Sequence, residues 1–290
     1  MQSIKSERGK LTIVFFGNTK YSLIGAKIIQ QSLGLSCIVT IPNRPDKRGR
    51  LLPSPLKNFA LEKNIPVVTV DTLDEETLER LKLLKPDFFV VEDYGLFLPD
   101  NFLTLPKLAS INIHHSLLPK YRGPSPAPNA ILNGDRISGV TVMKMVAEVD
   151  AGPILAQKEY TLKPDETTDS LLTTLNKQGA ELLIEVLKDY KNYTPQPQDE
   201  KKATLTERLK KVDGYFDIDK PPSPQQLDRM IRAYYPWPNA WTKIRIMNHE
   251  LRIMKLLPQN MIQLEGGKPM SIRDFLNGYP EMRETLEKLI

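Results

Sequence analysis

From residue 11 onward, short apolar runs rich in β-branched residues alternate with amphipathic stretches, the pattern of strands joined by helical crossovers on a parallel sheet. Leu11 to Phe16, Ser36 to Ile41, Pro66 to Val70, Asp87 to Val91 and Ser110 to His114 read as strands. Between them, Ser22 to Leu33, closed by Gly34, and Pro55 to Lys63 read as helices. Leu78, Leu81 and Leu84 form one helical stripe that Lys85-Pro86 terminates. A polar, proline-rich loop follows His114, then a strand from Gly139 to Val146 and a turn at Val149-Asp150-Ala151-Gly152. Thr168 to Tyr190 is the longest helix candidate, with Leu172, Leu175, Gly179, Leu182, Leu183 and Val186 on one side. Lys191 to Thr204 has prolines, glutamines and charges but no apolar periodicity, which marks a linker. Beyond it, Ser223-Pro224 opens a helix through Ile231 that Pro236 stops. Ala240 to Ile246, Glu250 to Leu257 and Met261 to Leu264 read as strands, and a final helix follows Glu281. The pattern predicts a doubly wound α/β body over residues 1–190, a linker over 191–204 and a smaller β-containing domain over 205–290.

A length of 290 residues supports two domains. Hydrophobic residues at 40% and charged residues at 26% exclude a disordered or collagen-like chain. The net charge of +5 is unevenly placed: residues 1–200 carry 24 basic and 24 acidic side chains, so all the excess lies in the last ninety. A neutral body with a basic appendage fits an anionic partner such as nucleic acid, and a chance excess on a solvated surface fits equally well. The single cysteine, Cys37, leaves no disulfide within the chain and suits the cytoplasm. The polar start MQSIKSERGK is wrongly built for a signal peptide, and no apolar run reaches membrane-spanning length, so no membrane partner is expected. After Gly17 neither a G-x-G-x-x-G nor a Walker pattern follows, which disfavours a conventional nucleotide site.

Candidate chemistry gathers at one strand end. Asn112 and His114 are two apart on a strand and share a face, at the C-terminal edge where open α/β sheets bind ligands. Asp150, in the turn after the next strand, could orient the imidazole. Asn, His and Asp together, with no serine or cysteine nucleophile, suit direct attack of an amine on a carbonyl: amide and imidazolium donors hold the oxyanion while Asp and His handle the proton. On these residues alone, a satisfied histidine at a strand end and a turn-forming aspartate explain the same pattern.

The segments Asn112-Ile113-His114-His115-Ser116-Leu117-Leu118-Pro119-Lys120-Tyr121-Arg122-Gly123, Ser138-Gly139-Val140-Thr141 and Val149-Asp150-Ala151-Gly152 resemble the signature of the folate-dependent formyltransferases. Four more segments narrow the resemblance to the methionyl-tRNA formyltransferase branch: 44–55, Tyr94-Gly95 through Pro99, 231–238 and 264–270. The resemblance implies a Rossmann-like catalytic domain with a mostly parallel sheet and an OB-like second domain. It implies 10-formyltetrahydrofolate as formyl donor, initiator methionyl-tRNA as acceptor, and no metal. It makes Asn112, His114 and Asp150 catalytic, Ser116, Leu117, Leu118 and Pro119 folate contacts, and Arg44, Lys47, Arg48 and Arg50 a loop that meets the tRNA acceptor end. His115 stands where the family often has glycine and receives no catalytic role. The stretch between Ala240 and Gln263 is short for a full barrel, so the second domain is expected to be abbreviated. Two further readings remain: an N-formyltransferase acting on an amino-sugar nucleotide, and a non-catalytic RNA- or folate-binding relative.

Overall fold

The computed structural model describes residues 11–42, 44, 45, 51, 52, 54–246, 250–287 and 289, with the side chains of 44, 45, 51, 52 and 250 left aside. In chain order it contains β1 (Ile13–Phe16), α1 (Ser22–Ser32), β2 (Cys37–Thr40), the two-residue strands β3 (Arg44–Pro45) and β4 (Leu51–Leu52), α2 (Pro55–Glu62), β5 (Val67–Thr69), α3 (Glu75–Lys82), β6 (Phe88–Val91), α4 (Asp100–Leu103) and β7 (Ala109–His114). Then come α5 (Pro126–Asn133), β8 (Ile137–Lys144), β9 (Ile154–Thr161), α6 (Thr168–Lys188), α7 (Pro224–Ala233), β10 (Ala240–Ile246), β11 (Glu250–Leu257), β12 (Met261–Leu264), β13 (Met270–Ser271), α8 (Ile272–Gly278) and α9 (Arg283–Glu287). Two compact units interleave along the sequence. One comprises the chain up to Arg122, Gly139–Glu159 and Thr173–Thr204; the other comprises Gly123–Ser138, Tyr160–Leu172 and Leu205 onward.

The first unit is built on a seven-stranded sheet in the order β5-β2-β1-β6-β7-β8-β9. The pairings from β5 to β7 are parallel and β7 meets β8 antiparallel, so the sheet is mostly parallel. Strands with helices on both faces bury both sets of alternating side chains, which is why they read as continuous apolar runs. Ile13, Phe15, Phe88, Val90, Ile111 and Ile113 point to a core shared with Ala26, Phe59 and Leu183. Val14, Phe16, Phe89 and Val91 point to the opposite core, with Leu78, Leu81 and Phe102. Helix starts follow local chemistry: Ser54 and Asp74 cap α2 and α3 by accepting from the N–H groups of Lys57 and Thr77.

The second unit has its own core around Phe216, Leu227, Ile244, Met254, Ile262, Phe275 and Leu286. Its antiparallel sheet runs β10-β11-β12-β13. Ser223 and Gln226 form the capping box that opens α7, with Pro224 at the first helical position as the sequence predicts. Several elements go beyond the sequence reading, three of them for plain local reasons. The proline-rich stretch after His114 contains α5, because Pro126 sits in the first helical turn, where a missing N–H is harmless. Strand β9, ILAQKEYT, is an edge strand with a largely exposed second half and so shows little apolar signal. Helix α8 starts at Ser271, which accepts from the Asp274 N–H.

Candidate active site

Strand β7 ends at the C-terminal edge of the sheet and carries the candidate chemistry. Asn112 and His114 pair in register with Met143 and Thr141 of β8, and the turn after β8 brings Asp150 back to the same edge. The period of two puts both β7 side chains on one carboxylate. Asn112 Nδ2 donates to Asp150 Oδ1 at 3.3 Å, and His114 Nδ1 lies 3.4 Å from Asp150 Oδ2. Asp150 has φ of 51°, in the left-handed region that aspartate tolerates better than most residues. His114 Nε2 lies 2.9 Å from the Tyr121 carbonyl oxygen. A carbonyl only accepts, so Nε2 carries a hydrogen, and in the neutral ring Nδ1 is the basic nitrogen, facing Asp150. Burial pushes the His114 pKa below its ordinary value, against the opposing pull of Asp150 and of the Tyr121 carbonyl.

The turn bearing Asp150 is held by a residue from the segment read as a linker. Gln198 Nε2 donates to the carbonyl oxygens of Asp150 and Gly152, each at 2.7 Å. Its own oxygen accepts from Arg122 Nε at 3.0 Å, and Arg122 grips Glu200 through both guanidinium ends, at 2.9 and 2.7 Å. The Arg122 N–H also donates to the Thr204 carbonyl. Residues 196–204 thus brace the site. No periodicity announces this, since the bracing is done by single polar side chains on irregular backbone.

The loop Ser116–Pro119 leaves β7 and is fixed from beneath. Thr141 Oγ1 donates to the Ser116 carbonyl at 2.6 Å, and Gln157 Nε2 donates to the Leu118 carbonyl at 2.8 Å. Ser116 and Leu118 are buried, and Leu117 and Pro119 keep part of their surface. Tyr94 lies in the core against Phe16, and Phe97 is 61% exposed. Lys47, Arg48 and Arg50 lie outside the described residues, as does the Arg44 side chain; the backbone of 44–45 pairs antiparallel with 51–52. Among the described residues, no group of three His, Cys, Asp or Glu is placed to hold a metal ion, and no helix is long and apolar enough to cross a membrane.

The family model described as formyl transferase matches residues 11–187, and that described as formyl transferase, C-terminal domain, matches 208–263. The methionyl-tRNA formyltransferase of Roseiflexus castenholzii is 43% identical over 241 residues, 81% of this chain and 76% of that protein. That of Koribacter versatilis is 35% identical over 312 residues, 96% of this chain and 99% of its own. Two solved structures share the fold. A sugar N-formyltransferase from a Shewanella species has a TM-score of 0.64 at 18% identity, covering 87% of this chain and 99% of that one. HypX from Aquifex aeolicus, solved in complex with tetrahydrofolic acid, has a TM-score of 0.62 at 16% identity over 92% of this chain, which spans 47% of HypX. With a formyl transferase model covering most of its length and relatives at this identity, the chain belongs to the methionyl-tRNA formyltransferase family.

Proposed function

We propose that the protein transfers a formyl group from 10-formyltetrahydrofolate to the α-amine of methionine carried by initiator tRNA, in the cytoplasm, as a step of translation initiation. The observation that carries this reading is the convergence of Asn112 and His114 on the Asp150 carboxylate at the sheet edge, in a chain of this family. The folate supplies the formyl carbon. Leu117 and Pro119, partly exposed on a loop held by Thr141 and Gln157, offer the rigid apolar face a flat pterin needs.

The remaining chemistry falls to three side chains. The Tyr121 carbonyl orients neutral His114 through Nε2–H, Nδ1 takes a proton from the attacking amine, and Asp150 then accepts from Nδ1–H and balances the imidazolium that results. The Asn112 amide donates to the oxygen that becomes negative as the amine nitrogen bonds to the formyl carbon. The bond from that carbon to its nitrogen in the donor then breaks, and His114 returns its proton to the departing nitrogen. One C–N bond forms, one breaks, and one proton moves between the two nitrogens. The body over residues 1–190 houses this chemistry, the segment 191–204 braces it, and residues 205–290 with the loop of Arg44, Lys47, Arg48 and Arg50 meet the tRNA, whose phosphates attract such cations.

Purified protein given labelled 10-formyltetrahydrofolate and charged initiator tRNA should yield formyl-methionyl-tRNA. The fold is shared with a sugar N-formyltransferase, so a panel of amino-sugar nucleotides is the necessary second arm. Formylation of sugars alone would overturn the proposal. Transfer to neither acceptor would favour a binding protein. Arg48→Ala should raise the KM for tRNA and leave that for the folate unchanged; equal KM values for tRNA would remove the loop from the RNA interface.

A further inference from the structure

A second group of ionisable side chains closes on itself at the C-terminal ends of β1, β6 and β7. Strand β1 lies between β2 and β6, so the direction of winding reverses here, the place where open α/β sheets keep room for chemistry. Glu92, the first residue after β6, is fully buried, and among the described residues neither carboxyl oxygen has a hydrogen-bond partner. Gly25 on α1 makes its space: a Cβ there would collide with Glu92 Oε2 and lie 2.9 Å from Cδ. His115, 4% exposed, sits against it, with Nε2 3.8 Å from Glu92 Oε1 and Nδ1 3.5 Å from Asp93 Oδ1. Asp93 is held in turn, accepting from Thr19 Oγ1 at 3.2 Å.

Two acidic side chains around one buried imidazole, next in the chain to the reacting histidine, form an electrostatic device that a core position does not need. Resting on the catalytic reading of His114, we infer that His115 is a positioning residue for formyl transfer: an imidazolium held between Asp93 and Glu92 whose positive charge keeps the His114 ring neutral and able to take the amine proton.

The groups facing His115 are Asp93 and Glu92 after β6, His114 on its own strand, Asp150 after β8, and the Thr19 hydroxyl before α1 by way of Asp93. Burial works against charge on His115, but Asp93 and Glu92 outweigh it and hold its pKa above the ordinary histidine value. Burial pushes the Glu92 carboxyl up to about 8, so Asp93 carries the larger share of the counter-charge. For His114 the charge on His115 adds to the lowering by burial. A neutral residue at 115 leaves Asp93 uncompensated beside His114, so the His114 pKa rises.

NMR titration of labelled imidazoles in the unaltered protein reads both rings directly. His115 should titrate above the ordinary histidine value and His114 below it, and the reverse order overturns the inference without any variant. In His115→Gln the acidic limb of kcat/KM should move to higher pH by roughly half a unit or more, the effect of one unit charge at neighbouring-residue distance under near-aqueous screening. The His114 midpoint should move with it; an unmoved limb and midpoint would sink the idea. A shifted midpoint in a protein whose unaltered form formylates nothing supports the coupling and removes the proposed function instead.

Discussion

At the scale of single residues, the site is a matter of two spacings and one brace. Asn112 and His114 meet on a carboxylate because a strand places i and i+2 on one face, and Asp150 completes them because its left-handed backbone turns it toward that face. Asn112→Ala removes a donor to the developing oxyanion and should lower kcat by about 10²–10³-fold, with folate KM little changed; single-turnover kinetics would measure it, and a loss of less than tenfold would take Asn112 out of that role. Gln198→Ala frees the carbonyls of Asp150 and Gly152 and lets the turn drift. A displacement of that kind typically costs ten- to a hundredfold, so kcat should fall by roughly that much while KM values hold. Asn112, His114 and Asp150 were all visible in the sequence as residue types at readable spacings. Gln198 and Glu92 were not, since a lone glutamine in an irregular stretch and a glutamate at a strand end carry no pattern.

At the scale of elements, helix α6 shows how packing constrains the strand that carries the candidate residues. Gly179 lies where a Cβ would collide with Ile113 Cγ2 and reach within 2.9 Å of Val140 Cγ2. Both neighbours are buried strand residues. Gly179→Ala gains up to about 1 kcal/mol in helix propensity but overpacks a core, which costs typically about 1–3 kcal/mol. A net loss of about 1 kcal/mol is expected in chemical denaturation, with reduced activity because Ile113 lies between Asn112 and His114; a stabilised variant would show that α6 can shift outward. Elements with a strong period were legible: β10, β11, β12 and the Ser223-capped α7 all sit where the pattern puts them. Helix α5 was hidden by its prolines and β9 by its exposed half, because proline content and edge position both erase the apolar period.

At the scale of the whole molecule, the buried Glu92 ties stability to pH. Its carboxyl is raised from 4.5 to about 8, so the folded state binds the proton more tightly than the unfolded state. Stability from this group is therefore fully present below 4.5 and declines as pH rises toward 8. His115, also raised, acts in the same direction above the ordinary histidine value, whereas His114 acts in the opposite one. Thermal melts of Glu92→Gln should fall less between pH 5 and pH 8 than those of the unaltered protein; parallel curves would mean Glu92 titrates normally. The alternating strands and helices, the Asn112/His114 face and the family can all be read from residue order, because periodicity and ordered motifs are local and survive in one dimension. Folding in three dimensions sets the rest: α5 packs with α7 in a unit interrupted along the chain, residues 196–204 brace Asp150, and Glu92 and Asp93 enclose His115. Those are contacts between residues far apart in sequence, made by single polar side chains or close backbone approaches, and burial alone gives them their energetic weight.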